Sequence, residues 1–248
     1  MIAEHPALTA DALREALAAI VDTPRVARRG YSRAPTESLG TPAMDNAFID
    51  RCRIAFSKLI GLDDEGMVEI SSARRREGRS SVAAALALAL ARTRGGSGVL
   101  LLDLDFDRPA QADLFSVAPT PGLADYLEGR ERLRIVSGGP ARQLSLLPAG
   151  RRLGDPARLI HLLSRQGMLS VFRERFQWVV IDLPPMLTHP EVSALANRAD
   201  WHILVGQHRR TTFEELRQVR ELIADRKRTG FLLTADSTRI PYWIRRLL

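Results

Sequence analysis

Cysteine is nearly absent from this sequence, which contains a single one, Cys52, in 248 residues. One thiol cannot form a disulfide within the chain, and it cannot build a thiolate cluster around a metal. Lysine is also scarce, because Lys58 and Lys227 are the only lysines among 36 basic residues. The formal charge of +7 therefore comes from arginine, and it favours acidic partners without specifying one.

Long hydrophobic runs are missing as well. The longest apolar stretch, Val82 to Ala91, has about half of the length that a bilayer span requires. The first residues, MIAEHPALTA, lack a basic segment followed by an apolar core, so we expect no secretory signal. Together with the lone cysteine, this pattern favours a reducing cytosol.

Aromatic residues make up 6% of the chain, and they form no RNA-binding motif. We therefore expect no specific nucleic acid partner. A nucleic-acid-associated protein remains an interpretation that draws only on the positive charge, which an arginine-rich proteome explains equally well. The hydrophobic content of 45% and the charged content of 26% are typical of a soluble globular protein, and 248 residues fit one large α/β domain or a domain with an extension.

Short apolar segments alternate with helical segments along most of the chain. This alternation predicts an α/β fold with a doubly wound, mostly parallel sheet and helices on both faces. The predicted strands are 67–70, 99–102, 144–148, 178–181, 201–205 and 231–234. The predicted helices are 9–21, 43–60, 82–91, 122–129, 155–168, 191–198 and 212–226. We expect Asp125 and Asp155 to act as helix N-caps.

Residues 1–42 differ in composition from the rest. They predict an N-terminal helix and a flexible linker rich in Pro, Gly and Arg, followed by one domain over residues 43–248. The first helix is either a detachable docking element or a terminal helix folded back onto the domain. The apolar and basic tail, 240–248, is either a membrane or partner contact or a packed terminal helix.

The segment after the first predicted strand has the spacing of a P-loop, Ala73-x-x-x-x-Gly78-Arg79-Ser80. Such a loop binds phosphate through backbone amides at a helix N-terminus. Its predicted nucleotide-binding residues are Ala73, Arg76, Glu77, Gly78, Arg79, Ser80 and Ser81. Arginine stands where the P-loop lysine belongs, and two further arginines precede Arg76. A corner with a solvated arginine cluster is the alternative interpretation of this segment.

Three carboxylates follow apolar strands. Asp103 and Asp105 come after one strand, and Asp182 comes after another. Because the carboxyl ends of parallel strands meet at one edge, these groups and the loop predict a shared site. The acids could bind magnesium or orient a nucleophile beside a phosphate.

Three segments resemble the bacterial tyrosine kinase (BY-kinase) family, MinD/ParA-like P-loop proteins that accompany polysaccharide co-polymerases in capsule and exopolysaccharide export. Residues 71–81 match the family's T-S-x-x-P-G-E-G-K-S-T, residues 102–109 match I-D-A-D-L-R-R-P, and residues 180–185 match I-I-D-T-P-P. The segments GLADYLEG and LLPAG lie between them in the family's order. The resemblance extends from Ala43 to Thr234.

The resemblance implies a P-loop NTPase-like fold with Mg²⁺ and ATP or ADP as cofactors. It places Gly78 and Arg79 on the phosphates, Asp103, Asp105 and Asp182 at catalytic positions, and Ser80, Asp103 and Asp182 at the metal. It also implies a cytoplasmic protein at the inner face of the cytoplasmic membrane. Its partner would be an inner-membrane polysaccharide co-polymerase, with a homo-oligomer left open.

Departures from the family pattern concentrate in the loop, where Arg75-Arg76 replaces Pro-Gly and Arg79 replaces Lys. The other departures are Asp107, Leu183, Glu191, an eroded arginine pattern at 49–53, and a single Tyr242 in place of a tyrosine cluster. We therefore expect a pseudokinase or degenerate ATPase that docks on the co-polymerase, with Mg²⁺ and ATP or ADP as cofactors if nucleotide binding survives and with none otherwise. The alternative is an active ATPase or protein-tyrosine autokinase with Arg79 as the loop cation.

Arg76 is the most damaging departure, because glycine at a phosphate-binding turn often adopts backbone angles that are costly for other residues. We hypothesise that the guanidinium of Arg76 enters the phosphate volume. It would then replace the charge interactions of the γ-phosphate and hold the fold in a nucleotide-like state.

Overall fold

A seven-stranded sheet forms the centre of the protein in the computed structural model. The structure describes residues 10–21, 38–42, 44–60, 65–92, 98–138, 143–152, 155–165, 167–196, 198–223 and 228–234. The strands are β1 (Gly66–Ser72), β2 (Val99–Asp103), β3 (Val136–Ser137), β4 (Leu144–Leu147), β5 (Trp178–Asp182), β6 (Trp201–Gln207) and β7 (Thr229–Thr234). Their spatial order is β3-β4-β2-β5-β1-β6-β7.

Every pairing in the sheet is parallel except the one between β3 and β4, which is antiparallel. The first strand lies between β5 and β6, and β2 lies on the other side of β5. The carboxyl ends of β1, β2 and β5 are therefore neighbours, as the sequence predicted for the strands that precede the loop and the acids.

The two faces of the sheet carry separate apolar clusters. Along β2, Leu100 and Leu102 belong to one cluster, whereas Val99 and Leu101 belong to the other. Both sets are buried because helices cover both faces, so the strand needs no polar side. This arrangement confirms the predicted doubly wound fold.

The helices are α1 (Ala10–Val21), α2 (Asn46–Leu59), α3 (Arg79–Arg92), α4 (Gln111–Leu114), α5 (Leu123–Leu127), α6 (Pro156–Arg165), α7 (Met168–Arg175) and α8 (Phe213–Leu222). The third is almost entirely buried, which explains its Ala and Leu composition. Within the described part of the chain, no helix combines the length and apolar character needed to cross a bilayer.

Some predicted element bounds were wrong. The helix expected over 155–168 ends at Arg165, and α7 starts only after Gly167, which adopts a left-handed conformation. The helix expected at 191–198 is a 3-10 turn over Pro190–Ala194. The short α4, α7 and β3 were not predicted.

The predicted helix caps also differ in outcome. Asp155 accepts a hydrogen bond from the amide of Arg158, as expected of an N-cap. Asp125 lies inside α5 and accepts a hydrogen bond from the amide of Gly122, so Gly122 is the cap residue. An acid three residues into a helix can bond back to the cap amide, and this spacing explains the error.

The first helix lies against α7. Leu13 and Leu17 are fully buried in one of the apolar clusters, and Arg14 forms an ion pair with Glu174 of α7. This is the folded-back arrangement of the two alternatives. Most of the predicted linker and the whole of the tail 240–248 lie outside the described residues, so the division at residue 42 stays a prediction.

Candidate functional site

The loop and the acids meet at the carboxyl edge of the sheet. Asp103 and Asp182 are paired in register at the ends of β2 and β5, and β1 runs directly into the loop before α3. All three acids are buried. The structure therefore brings together the acids and the loop that sequence analysis assigned to one site.

The loop keeps the backbone shape of a phosphate-binding turn. Arg76 has φ 65° and Gly78 has φ 88°, so both adopt the left-handed region. This region suits glycine and costs a side-chain-bearing residue free energy. A Cβ atom on Gly78 would also lie 3.3 Å from the Cγ2 atom of Thr234. Arg76 therefore occupies a backbone position that favours glycine.

The arginine side chain at 76 is exposed and lines the cleft in front of the loop. In this structure Arg79 is the arginine that is buried among the acids. The hypothesis that the guanidinium of Arg76 replaces the charge interactions of the γ-phosphate stays a hypothesis.

Partly buried hydrogen bonds support the loop. Glu77 accepts one from the amide of Arg74 at 2.8 Å and another from the hydroxyl of Thr211. The hydroxyl of Thr234 donates to the carbonyl of Glu77 at 2.6 Å. Both carboxylate oxygens of Glu77 therefore accept hydrogen bonds from within the protein. Its backbone remains part of the loop that the sequence predicts to bind phosphate.

Arg79 is buried against the acids, with 6% of its surface exposed. Its Nη2 atom donates to Oδ2 of Asp105, and its Nε atom lies 3.4 Å from Oδ1 of Asp182. Because guanidinium remains protonated in proteins, this is a permanent positive charge between two buried carboxylates. The residue at the P-loop lysine position therefore faces inward, onto the acids.

Asp103 has a different role, because it supports the chain that follows β2. Its Oδ2 atom accepts from the amides of Ala110 and Gln111 at 2.9 Å each, and its Oδ1 atom accepts from the amide of Asp105 at 3.2 Å. Both oxygens of Asp103 are therefore engaged by backbone donors, Oδ2 by amides at the start of α4 and Oδ1 by the amide of Asp105.

Gln111 joins the acids to the loop. Its Nε2 atom donates to Oδ2 of Asp182 at 2.8 Å and to the carbonyl of Ser80 at 3.0 Å. Ser81 follows in α3, and Ala73 is buried where the loop leaves β1.

Burial raises the pKa of both strand-end acids. For Asp103, burial acts first and the charge of Asp182 adds to it, while the amides of Gln111 and Ala110 oppose the rise. For Asp182, burial again acts first, and Arg79 is the largest opposing influence on the pKa. The cost of burying Asp182 is thus partly offset by the arginine.

Two other loop arginines, Arg74 and Arg75, also form ion pairs. Arg75 pairs with Asp107, and its Nη2 atom lies 3.0 Å from Nε2 of His189. The Nδ1 atom of His189 lies 3.0 Å from Oε1 of Glu191. Arg74 pairs with Glu215. These contacts orient the loop arginines around the cleft.

Magnesium prefers oxygen ligands in octahedral geometry, so a site here would need free carboxylate oxygens on the three acids. Both oxygens of Asp103 accept from amides, one oxygen of Asp182 accepts from Gln111, and Arg79 lies against Asp105 and Asp182. Among the described residues, no group of three or more His, Cys, Asp or Glu side chains is arranged to hold a metal. This arrangement does not fit a magnesium ion, so the predicted metal ligands stay predictions.

A cleft of about 280 Å³ opens in front of the loop. It is lined by Arg75, Arg76, Glu77, Gly78, Arg79, Ser80, Ser81, Asp105, Arg108 and Ala110. Four of these residues are arginines and two are acids. Positive charge at the N-terminus of a long helix favours a bound anion.

Sequence analysis missed four residues that shape this site: Gln111, His189, Thr211 and Thr234. Each lies outside the three motif segments and reaches the site through tertiary contacts. No helical pattern of apolar residues marks the segment around Gln111, because α4 is a single turn. Proximity to the motif 102–109 was the only available indication for Gln111.

Comparison with known proteins places the chain near bacterial tyrosine kinases. It is 25% identical over 103 residues to the tyrosine-protein kinase Ptk of Acinetobacter johnsonii, covering 41% of this chain and 14% of the relative. It is 30% identical over 99 residues to the putative tyrosine-protein kinase EpsB of Ralstonia solanacearum, covering 40% and 13%. The chain thus spans about one seventh of the length of these curated relatives. No protein-family model matches it.

Solved structures give wider coverage. The VpsO kinase domain is 26% identical, with a TM-score of 0.64 over 75% of this chain and 95% of that domain. The kinase domain of Escherichia coli tyrosine kinase Etk is 21% identical, with a TM-score of 0.68 over 87% and 85%. A ParA family ATPase from Chlorobium tepidum is 19% identical, with a TM-score of 0.51 over 71% and 76%. The last two show the shared fold alone.

Proposed function

We propose that this chain, which resembles the bacterial tyrosine kinases in sequence and shares their P-loop fold, is a pseudokinase or degenerate ATPase. In this proposal it docks on the inner-membrane co-polymerase, the chain-length regulator, of a polysaccharide biosynthesis and export system. The protein works in the cytoplasm, at the inner face of the cytoplasmic membrane. Its retained sheet supplies a binding scaffold and its loop no longer turns over ATP.

The observation that carries the proposal is the position of Arg79. A P-loop cation acts on the phosphates, where it stabilises the charge of the transition state. Here the guanidinium contacts Asp105 and lies 3.4 Å from Asp182, inside the acid cluster. A planar guanidinium is larger than an ammonium and forms fixed, directional hydrogen bonds, so it does not substitute for lysine. Catalysis that depends on a loop cation placed at the phosphates is therefore expected to fail.

Arg76 supports the same conclusion. It holds a left-handed conformation at the position where the family pattern has glycine, and its side chain lines the phosphate cleft. A bulky cation there limits the space for a nucleotide in its usual pose. The loop therefore combines a cation directed at the acids with a second arginine in the phosphate cleft.

The partner assignment rests on the resemblance. Proteins of this family accompany polysaccharide co-polymerases, and the chain's relatives are named tyrosine-protein kinases. Co-expression with a polysaccharide chain-length regulator from the same genome tests the assignment. We expect the two proteins to co-purify from solubilised membranes, and recovery of this chain only in the soluble fraction would contradict it.

An active Mg²⁺-ATP-dependent ATPase or tyrosine autokinase is the second candidate. The observation in its favour is that all three acids remain together beside an open cleft. In that case Arg79 would swing from the acids to the phosphates when nucleotide binds.

The deciding experiment compares ATP turnover in the natural protein with turnover in the double variant Arg76→Gly/Arg79→Lys. We expect no turnover above background in the natural protein and a gain only in the double variant. An Arg217→Gln variant on α8 serves as a matched arginine control. Turnover by the natural protein at a rate that Arg79→Leu abolishes would establish the second candidate instead.

A further inference from the structure

The acid cluster already contains a cation. Arg79 is buried, and its Nε atom has no hydrogen-bond partner although it lies 3.4 Å from Oδ1 of Asp182, which likewise has none. The guanidinium of Arg79 and the carboxylate of Asp182 therefore attract each other through their charges, without a hydrogen bond between these two atoms. Arg79 and Asp105 line the cleft, whereas Asp182 is not among its lining residues. The guanidinium lies where a metal-dependent site would hold its ion.

The remaining oxygens of the acids have other partners. Oδ1 of Asp105 accepts from the amide of Arg108 at 2.9 Å, and Oδ2 of Asp182 accepts from Gln111. A divalent ion would have to displace the guanidinium and break these hydrogen bonds. Its approach would also be opposed by the charge of Arg79 at close range.

We propose that Arg79 replaces the metal, and that the cleft is a metal-independent binding site for a pyrophosphate-type anion. The ligand class is a diphosphate group, either as free pyrophosphate or as the diphosphate of a nucleotide. This inference rests on the proposed function, because it assigns a non-hydrolytic ligand to the degenerate loop.

Three features of the cleft favour a diphosphate. Arg75, Arg76 and Arg108 line its walls, and Arg79 lies at its base. The loop leads into α3, whose N-terminus presents free amides toward an anion. Alternating right- and left-handed residues, as around Arg76, form a concave nest of amides that suits phosphate oxygens. Arginine forks match such oxygens in pairs.

The net charge of the lining also favours an anion without metal. Glu77 is turned toward Thr211 and the amide of Arg74, and Asp105 is neutralised by Arg79. Of the other three arginines, Arg75 pairs with Asp107 and its Nη1 atom lies 3.7 Å from Oδ2 of Asp105, whereas Arg76 and Arg108 have no ion pair within the described part of the chain. A metal is ordinarily needed to reduce phosphate charge, and here arginines take that role.

The first test measures binding of inorganic pyrophosphate to the full chain by calorimetry, in EDTA. We expect binding that needs no added metal. Arg76→Gln and Arg108→Gln should each weaken it by about tenfold, the loss of one charge-assisted hydrogen bond. Arg217→Gln, which changes an arginine outside the cleft, should leave it unchanged. Binding of pyrophosphate that appears only after Mg²⁺ is added would overturn the proposal, as would no binding under either condition.

The second test titrates the natural protein with Mn²⁺ and follows the free ion by electron paramagnetic resonance. We expect no metal binding at the acids in the natural protein. Arg79→Lys frees the acids, so it should gain a Mn²⁺ site if it folds, which circular dichroism checks. A Mn²⁺ site in the natural protein that Asp182→Asn removes would overturn the proposal whatever the variant does.

The two proposals fail separately. ATP turnover by the natural protein would overturn the proposed function and, with it, this inference. No turnover together with metal-dependent pyrophosphate binding would overturn only the metal-independent site. Adenosine diphosphate assayed beside pyrophosphate distinguishes the two ligand sources, because a nucleotide site should bind it more tightly than pyrophosphate alone.

Discussion

Two arginine–carboxylate clusters in this protein use the same chemistry in opposite surroundings. Arg79 lies between Asp105 and Asp182 with 7% of its side chain exposed, and the two acids are 1% and 0% exposed. Arg14 lies between Asp11 and Glu174 with 41% of its side chain exposed, and those acids are 90% and 48% exposed. Both arginines contact two carboxylates.

The difference shows that the number of ion-pair contacts does not determine their importance. Exposed charges are already well solvated, so pairing them changes little and salt screens the attraction. Buried charges have lost water, so each depends on its partner. Removing one member of the buried cluster around Arg79 should therefore lower the stability of the fold, whereas removing one member of the exposed cluster around Arg14 should not.

The largest effect is expected from Arg79→Leu. This change leaves Asp105 and Asp182 buried without their cation, which costs about 3–5 kcal/mol in the free energy of unfolding. Chemical denaturation monitored by circular dichroism measures the loss as a lower midpoint concentration.

The matched control is the triple variant Arg79→Leu/Asp105→Asn/Asp182→Asn. It removes the charges together and should recover a large part of the lost stability, because neutral groups tolerate burial better. If the triple variant is no more stable than Arg79→Leu, the cost comes from packing of the arginine stem and the contrast in charge burial is wrong.

A smaller effect of opposite sign is expected from Arg76→Gly. Glycine adopts φ 65° without the side-chain penalty of about 1–2 kcal/mol, although its greater freedom in the unfolded chain offsets part of that gain. We expect a net stabilisation of about 1 kcal/mol in the same denaturation experiment.

Gly78→Ala is the counterpart in the same loop. Gly78 has φ 88°, and its added Cβ atom would meet Thr234 at 3.3 Å, so this variant should be destabilised. A gain in stability for Gly78→Ala, or a loss for Arg76→Gly, would mean that the loop adopts different backbone angles in solution.

Glu215 is an intermediate case between the two clusters. Its carboxylate accepts from the amide of Thr212 at 2.8 Å and pairs with Arg74, whose side chain is mostly exposed. Glu215→Ala removes half of a capping box and should cost about 1 kcal/mol. Thermal or chemical unfolding at neutral pH measures it, and Glu214→Ala, one residue earlier, is the surface control.

The cost of Glu215→Ala should depend on pH. The pKa of Glu215 is lowered, first by the amide of Thr212, so the carboxylate stabilises the fold above its ordinary pKa of about 4.3. That contribution disappears as the pH falls through the lowered pKa, because the folded state must then bind a proton. A difference between the two proteins that grows on acidification would contradict this assignment.

The sequence was sufficient for the fold, and for placing the loop and the three acids at one edge of the sheet, because both depend on local patterns. Apolar strands followed by acids identify the carboxyl edge of a parallel sheet, and this is why Asp103, Asp105 and Asp182 were found. The left-handed backbone conformation of Arg76 was predictable because the family pattern has glycine at that position.

The partners of these residues were not predictable from the sequence. The inward orientation of Arg79 depends on distances across three strands, and no spacing along the chain encodes them. Gln111 contacts Asp182, and Thr234 contacts Glu77, and both pairs are far apart in sequence. The break at Gly167 was missed because the apolar pattern continues through it, although one left-handed residue ends the helix.

The smallest effect is expected from Arg14→Gln, which removes the ion pairs of the exposed cluster while keeping a side chain of similar length. Glu174 regains water when its partner is lost, so the melting temperature should change by no more than the scatter of replicate melts. The same comparison in high salt should show even less difference, since screening already weakens the pair. Leu13→Ala on the same helix is the positive control, because Leu13 is fully buried and its truncation should cost about 2–5 kcal/mol. A loss for Arg14→Gln as large as that for Leu13→Ala would show that the exposed ion pair, and not the apolar contact, attaches α1 to the domain.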